Sequence, residues 1–155
     1  MVLAEIIFMP EQATIERARE DEREGKSPST QAGEFVREEF HHIREGKHGA
    51  RSAKQTIAIG LSKARRAGVK LPPPARGQTR KVRRQAERDY EKGQMDEEHL
   101  SRRRSRATLG VLKREGQDAA SVRAISRQSR RASALRTSSA RSVSTQKAAR
   151  TKRLR

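Results

Sequence analysis

His41, His42 and His48, with Glu38 and Glu45 close by in the chain, are the residue types that hold divalent metals. On a helix, however, His41 and His42 point about 100° apart, and no two histidines stand at i,i+4 to share a face. The spacing therefore favours solvated helix-face histidines or phosphate contacts, and neither a metal nor any other cofactor is expected. Gly25, Gly33, Gly46, Gly49, Gly60 and Gly68 spell neither a P-loop nor a dinucleotide fingerprint, and fit helix boundaries or close-packing points better. The serines have no base placed for them by sequence. A catalytic pocket needs rigid walls that so polar a composition can hardly supply, so the expectation is a protein that is not an enzyme.

The cations carry more chemistry. Lys63, Arg65, Arg66 and Lys70 crowd one segment, Arg80, Lys81, Arg83 and Arg84 open the next, and Arg102, Arg103, Arg104 and Arg106 follow. Each cluster can neutralise phosphates and release counterions. Lys and Arg near a helix C-terminus also complement the helix dipole, but that does not account for the amount of charge present. Residues 1–50 hold 7 Lys and Arg against 11 Asp and Glu, whereas residues 51–155 hold 30 against 8, net +22 in a chain of net +18. Such a chain lowers its free energy by meeting a polyanion. Arg51 and Lys54, with Gln55 and Thr56, begin a helix in the manner of a recognition helix, although charge-driven binding is favoured over base readout. One Tyr and three Phe offer few stacking platforms, which favours duplex DNA over single strands.

The expected function is non-enzymatic nucleic-acid binding, as a DNA-binding nucleoid-associated or architectural protein acting on phosphates. A protein–protein adaptor, using the acidic amino-terminal half or an exposed Ile59 with a basic localising tail, is the alternative from another class. RNA or ribosome association is the third, since charge alone does not separate RNA from DNA.

The positioning elements are helices. Of 155 residues 32% are hydrophobic and 36% charged, without Cys or Trp, which excludes disulfides and thiolate metal sites and leaves little apolar area to offset chain entropy. No segment has the length to span a membrane. The apolar start at residues 1–8 carries Glu5 and no cation, so it lacks the basic region of a signal peptide, and Met9 is the expected natural start.

Residues 1–26 are expected to form an arm and a marginal charged helix, Gln12–Glu24. Residues 27–71 are expected to be a helical hairpin, and this is the best-defined region. Ser27-Pro28 opens its first helix, with Ala32, Val36, Phe40 and Ile43 in one stripe, Phe35 beside them and Gly46 as the stop. Ser52 and Gln55 fit a capping box on the second, with Ala53, Ile57, Leu61 and Ala64 as its apolar face and Gly68 as its end. This hairpin should be the folded nucleus, completed by the Gln12–Glu24 helix or a second copy, so a homodimer or a protein partner would use it.

Residues 72–78 read as a Pro/Gly linker and residues 79–116 as a basic helical region, with Leu100, Ala107 and Val111 as a weak stripe. Residues 117–155, rich in Arg, Ser and Ala with little to bury, read as a disordered tail. The predicted class is all-α.

The runs Gly25–Glu39 and Gly46–Gly68, above all Lys54-Gln55-Thr56-Ile57-Ala58-Ile59-Gly60-Leu61-Ser62-Lys63-Ala64-Arg65-Arg66-Ala67-Gly68, resemble a family of small basic bacterial and phage proteins catalogued as a domain of unknown function. The resemblance extends over roughly residues 10–116, weaker past the prolines, with Ser101–Gly110 also similar. It implies bacterial origin and a cytoplasmic setting, and it brings no activity with it; a nucleoid-associated location is expected from the charge alone.

Overall fold

Ser52 decides where the central helix begins: its hydroxyl accepts from the Gln55 N–H at 3.2 Å, while Gln55 Oε1 accepts from the Arg51 N–H at 3.0 Å. The reciprocal cap thus reaches one residue further back than expected, to Arg51 instead of Ser52. The computed structural model describes residues 9–74, 78–95, 102–136, 140, 142, 143, 145, 146, 149 and 150, with only the backbone of 102–104. Among them there are helices and no strands. The helices are α1 (Gln12–Arg23), α2 (Pro28–Arg44), α3 (Ala53–Arg66), α4 (Arg80–Gln94), α5 (Arg102–Leu112) and α6 (Val122–Ala134), with a 3-10 turn at Asp118–Ala120. None is long and apolar enough to cross a membrane.

The chain divides into two compact units, residues 1–120 and 121–155. In the first, α2 and α3 form the expected antiparallel pair, α1 packs on α2, α4 packs on α3, and the 3-10 turn sits against both central helices. Gly46 and Gly68 have φ of 74° and 89°, the left-handed stops expected of them. The α2–α3 crossing is close because Gly60 has no side chain: a Cβ there would lie 2.6 Å from Val36 Cα, nearer than packed atoms tolerate.

The core is two small apolar clusters. One is Ala18, Ala32, Phe35, Ala64 and Val69, flanked by Ile15, Leu61, Ala67 and Leu71; the other is Ile43, Ala50, Ala119 and Ala120, flanked by Phe40. Both expected stripes are therefore rotated. On α2 the buried apolar residues are Ala32, Phe35 and Ile43, while Val36 and Phe40 are half-buried at the edge. On α3 Ala53 and Ala64 are buried as expected, but Ile57, Ile59 and Leu61 are only half-buried, and Thr56, Gly60 and Lys63 share the inner face. The neighbours explain the rotation. The hairpin does not bury only itself: α1 and the 3-10 turn cover sides that a two-helix reading leaves to water.

Downstream, the expected stripe Leu100, Ala107 and Val111 is corrected as well. Ala107 and Val111 are exposed, Leu100 lies outside the described residues, and Leu109 and Leu112 are the buried pair. The end of α5 is tied to the hairpin turn by Gly49 N–H to Leu112 O at 2.9 Å and Ala50 N–H to Gly116 O at 3.1 Å. The segment expected to be a tail opens with Ala119 and Ala120 inside the core, so the packed region extends past residue 117. In the second unit α6 is capped by Ser121 and buries none of its residues, which is the feature of the tail that its composition foretells.

Candidate nucleic-acid interface

Asp89 sets which side of α4 faces water. It is buried, and it accepts from Ser62 Oγ at 2.7 Å, Arg66 Nε at 2.7 Å and Gln85 Nε2 at 3.0 Å, binding α4 to α3. Ala86 is buried on the same inner side. At 100° per residue this turns Arg80, Lys81, Arg84 and Arg88 outward as one band. All four are exposed, as is Arg83 at the band's edge. Arg88 donates to Gln85 Oε1 at 2.7 Å; Arg80, Lys81, Arg83 and Arg84 make no ion pair with any described residue. Thr79 caps the helix through the Val82 N–H, so the band starts at a fixed end.

The other expected phosphate contacts fare unevenly. Lys63 is buried, with Nζ 2.5 Å from Glu39 Oε1 and 3.4 Å from Glu38 Oε1, so it faces the core and not a phosphate. Arg65 is also buried: its guanidinium donates to the carbonyls of Leu71 at 3.2 Å, Pro72 at 3.4 Å and Leu61 at 3.5 Å, clamping the proline segment onto the end of α3. These two are corrections, and the cause is the same in both. A cation that satisfies buried acceptors is internal structure, whatever its neighbours in sequence. Arg66 is partly used by Asp89, and exposed Lys70 pairs with Glu22 at 3.3 Å. Arg51 is exposed and 3.5 Å from Glu115, Lys54 is exposed, and Arg106 is exposed. The side chains of Arg102, Arg103 and Arg104 lie outside the described residues. A residue absent from the expected set is Arg88, which the i,i+4 spacing from Arg80 and Arg84 places in the band.

A second group of charges lies inside. Glu38, Glu39 and His42 follow Phe35 on the inner side of α2, and the turn after Gly46 brings His48 back to them. His48 Nε2 is 3.4 Å from Glu39 Oε2, and its Nδ1–H donates to the Gly49 carbonyl at 3.1 Å. His42 Nε2 meets Glu11 Oε1 at 3.0 Å. His42 and His48 are thus buried, not solvated as expected, whereas His41 is exposed and pairs with Glu45 at 3.2 Å. Spacing along one helix could not reveal this, because His48 arrives from the turn.

The hydrogen bond from His42, with that from Lys47, holds the Glu11 carboxyl at about 2 against an ordinary 4.5. Burial works against the charged His48 ring, but the Glu39 carboxylate and the Gly49 carbonyl outweigh it and raise its pKa above 6.5. A lowered carboxyl pKa contributes stability that is complete above the unfolded value and lost as pH falls through the folded one. The melting temperature should therefore drop between about pH 4.5 and pH 2, and Glu11→Gln should flatten that limb. An unchanged acid limb in the variant would show that Glu11 does not contribute. At the other end, stability tied to His48 should fade as pH rises through its raised value.

Residues 23–76 match a family of unknown function (DUF6496). No curated protein and no solved structure matches the chain. The matched span holds α2, α3 and the buried Glu38, Glu39, His42, His48 and Lys63, and it ends before α4.

Proposed function

We propose that this protein binds duplex DNA without catalysing a reaction, and that it does so through phosphate contacts from the outward band of α4, as a nucleoid-associated or architectural protein. The single observation that carries this reading is the band itself, four exposed cations on one face of a helix whose opposite face is docked. From Arg80 to Arg88 the helix rises about 12 Å. Over that length a duplex presents roughly seven phosphates, so four cations have enough partners without any base contact. The net +22 of residues 51–155 supplies the attraction at longer range.

The test is the salt dependence of binding to a random duplex. Replacing Arg80, Lys81, Arg84 and Arg88 together with Gln should make the slope of log K against log salt shallower by about 3.6, at about 0.9 for each phosphate no longer neutralised. Helix content should not change, since these side chains are exposed. An unchanged slope would exclude the band as the binding surface, and a slope near zero in the unsubstituted protein would exclude phosphate-driven binding altogether. Tighter binding to duplex RNA than to DNA of the same sequence would move the reading to RNA.

A further inference from the structure

The two buried imidazoles are held in matching ways. His42 presents Nε2 to the Glu11 carboxylate, which as an ionised group can only accept, so Nε2 carries the proton. His48 presents Nδ1 to the Gly49 carbonyl, which also only accepts. In each neutral ring the remaining nitrogen, Nδ1 of His42 and Nε2 of His48, then carries a lone pair, and both face Glu39. An outer acceptor that fixes the tautomer while the inner nitrogen points at a carboxylate is the arrangement that supports metal-binding histidines from behind. His42 Nδ1 is buried, has no hydrogen-bond partner among the described residues, and stands 3.8 Å from Glu39 Oε1. A buried nitrogen without a partner costs free energy unless something fills its place.

We propose that Glu39, His42 and His48 form a site for a divalent first-row transition metal of the zinc type, joining α2 to the turn that follows Gly46. The donor set, two imidazoles and a carboxylate, is one that zinc accepts. The three ligand atoms lie within 4.8 Å of one another. Tetrahedral zinc with bonds of about 2.1 Å separates its ligand atoms by about 3.4 Å, so binding draws them in by roughly 1 Å. The rings are set edge to face, with centroids 6.1 Å apart and planes at 84°.

Lys63 is the opposing element. Its ammonium stands 2.5 Å from Glu39 Oε1, and a dication at Glu39 must displace it toward Glu38, already 3.4 Å away. Counting Glu11, Glu38, Glu39 and Glu45 against Lys47 and Lys63, the group is two negative charges in excess with both rings neutral. A cation is therefore taken up, and the proton on His48 is the metal's competitor.

The experiment is a zinc titration of the untagged full chain at pH 7.5, followed by the histidine ring signals in NMR and by the melting temperature. The expected result is saturation at one zinc per chain, shifts of the His42 and His48 rings with His41 unmoved, and a raised melting temperature. Cobalt in place of zinc should give the absorption of a four- or five-coordinate ion with nitrogen ligands. His48→Gln should abolish both responses and His41→Gln neither. Should His48→Gln fail to fold, the ring shifts of the unsubstituted protein decide alone. Zinc that shifts His41 instead, binds without saturating at one per chain, or leaves all ring signals in place overturns the site. DNA binding is read separately, so neither result depends on the other.

Discussion

Replacing Phe35 with alanine should leave no stably folded hairpin. Phe35 is fully buried and is the largest residue of the first apolar cluster, where its other members are three alanines and Val69. Truncating a buried Phe costs about 3–5 kcal/mol, from lost transfer free energy and the cavity that remains. Domains are stable by only about 5–15 kcal/mol, and one with a core this small belongs at the low end. Neighbouring alanines have no atoms with which to fill the void. Chemical denaturation should show the transition shifted to far lower denaturant or absent, while Val36→Ala, at the half-buried edge, should cost much less. Equal effects of the two would restore the stripe expected from the sequence and contradict the rotated one.

Lys63→Met should be nearly as damaging, for an electrostatic reason. Its stem is replaced by an apolar one of similar length, so packing changes little. Glu38 and Glu39, both nearly inaccessible, lose their shared cation. Breaking a buried pair by removing one partner costs about 3–5 kcal/mol, because the remaining charge is desolvated without compensation. Adding Glu39→Gln to Lys63→Met should recover part of the loss, since one uncompensated charge is then gone, and such a pair is far from additive. A destabilisation by Lys63→Met of under about 1 kcal/mol, the scale of an exposed pair, would mean that Lys63 is not an internal ion-pair partner.

The contrast between these two residues shows what could be read from the chain. Helix ends were legible because they are local: Ser52 with Gln55, Gly46 and Gly68 act within a few residues of themselves. The faces were less so. Phe35 and Val36 differ by 100° on the helix, and which of them is central depends on where α1 and Asp118–Ala120 pack, information spread over about a hundred residues. Lys63 and Arg65 looked like their exposed neighbours because charge in a sequence carries no sign of burial. Each is inside for a reason supplied by another element, Glu38 and Glu39 on α2 for Lys63, and the carbonyls of Leu71 and Pro72 for Arg65. His48 was the least visible, since its meeting with Glu39 requires the path of the turn. The band on α4 was half visible: Arg80, Lys81, Arg83 and Arg84 stood out as a run, but the outward direction shared with Arg88 follows from Asp89, an acidic residue that a count of cations passes over.

In the proposed function DNA is held by α4 and not by α3. A titration of the isotopically labelled full chain with a short random duplex, followed by backbone amide shifts, addresses this residue by residue. The amides from Thr79 to Lys92 should move together and return as salt is raised, while those of Ala53 to Arg66 stay in place. Shifts centred on Arg51, Lys54 and Thr56, persisting at high salt and differing between duplex sequences, would instead make α3 a recognition helix and contradict the phosphate-driven reading.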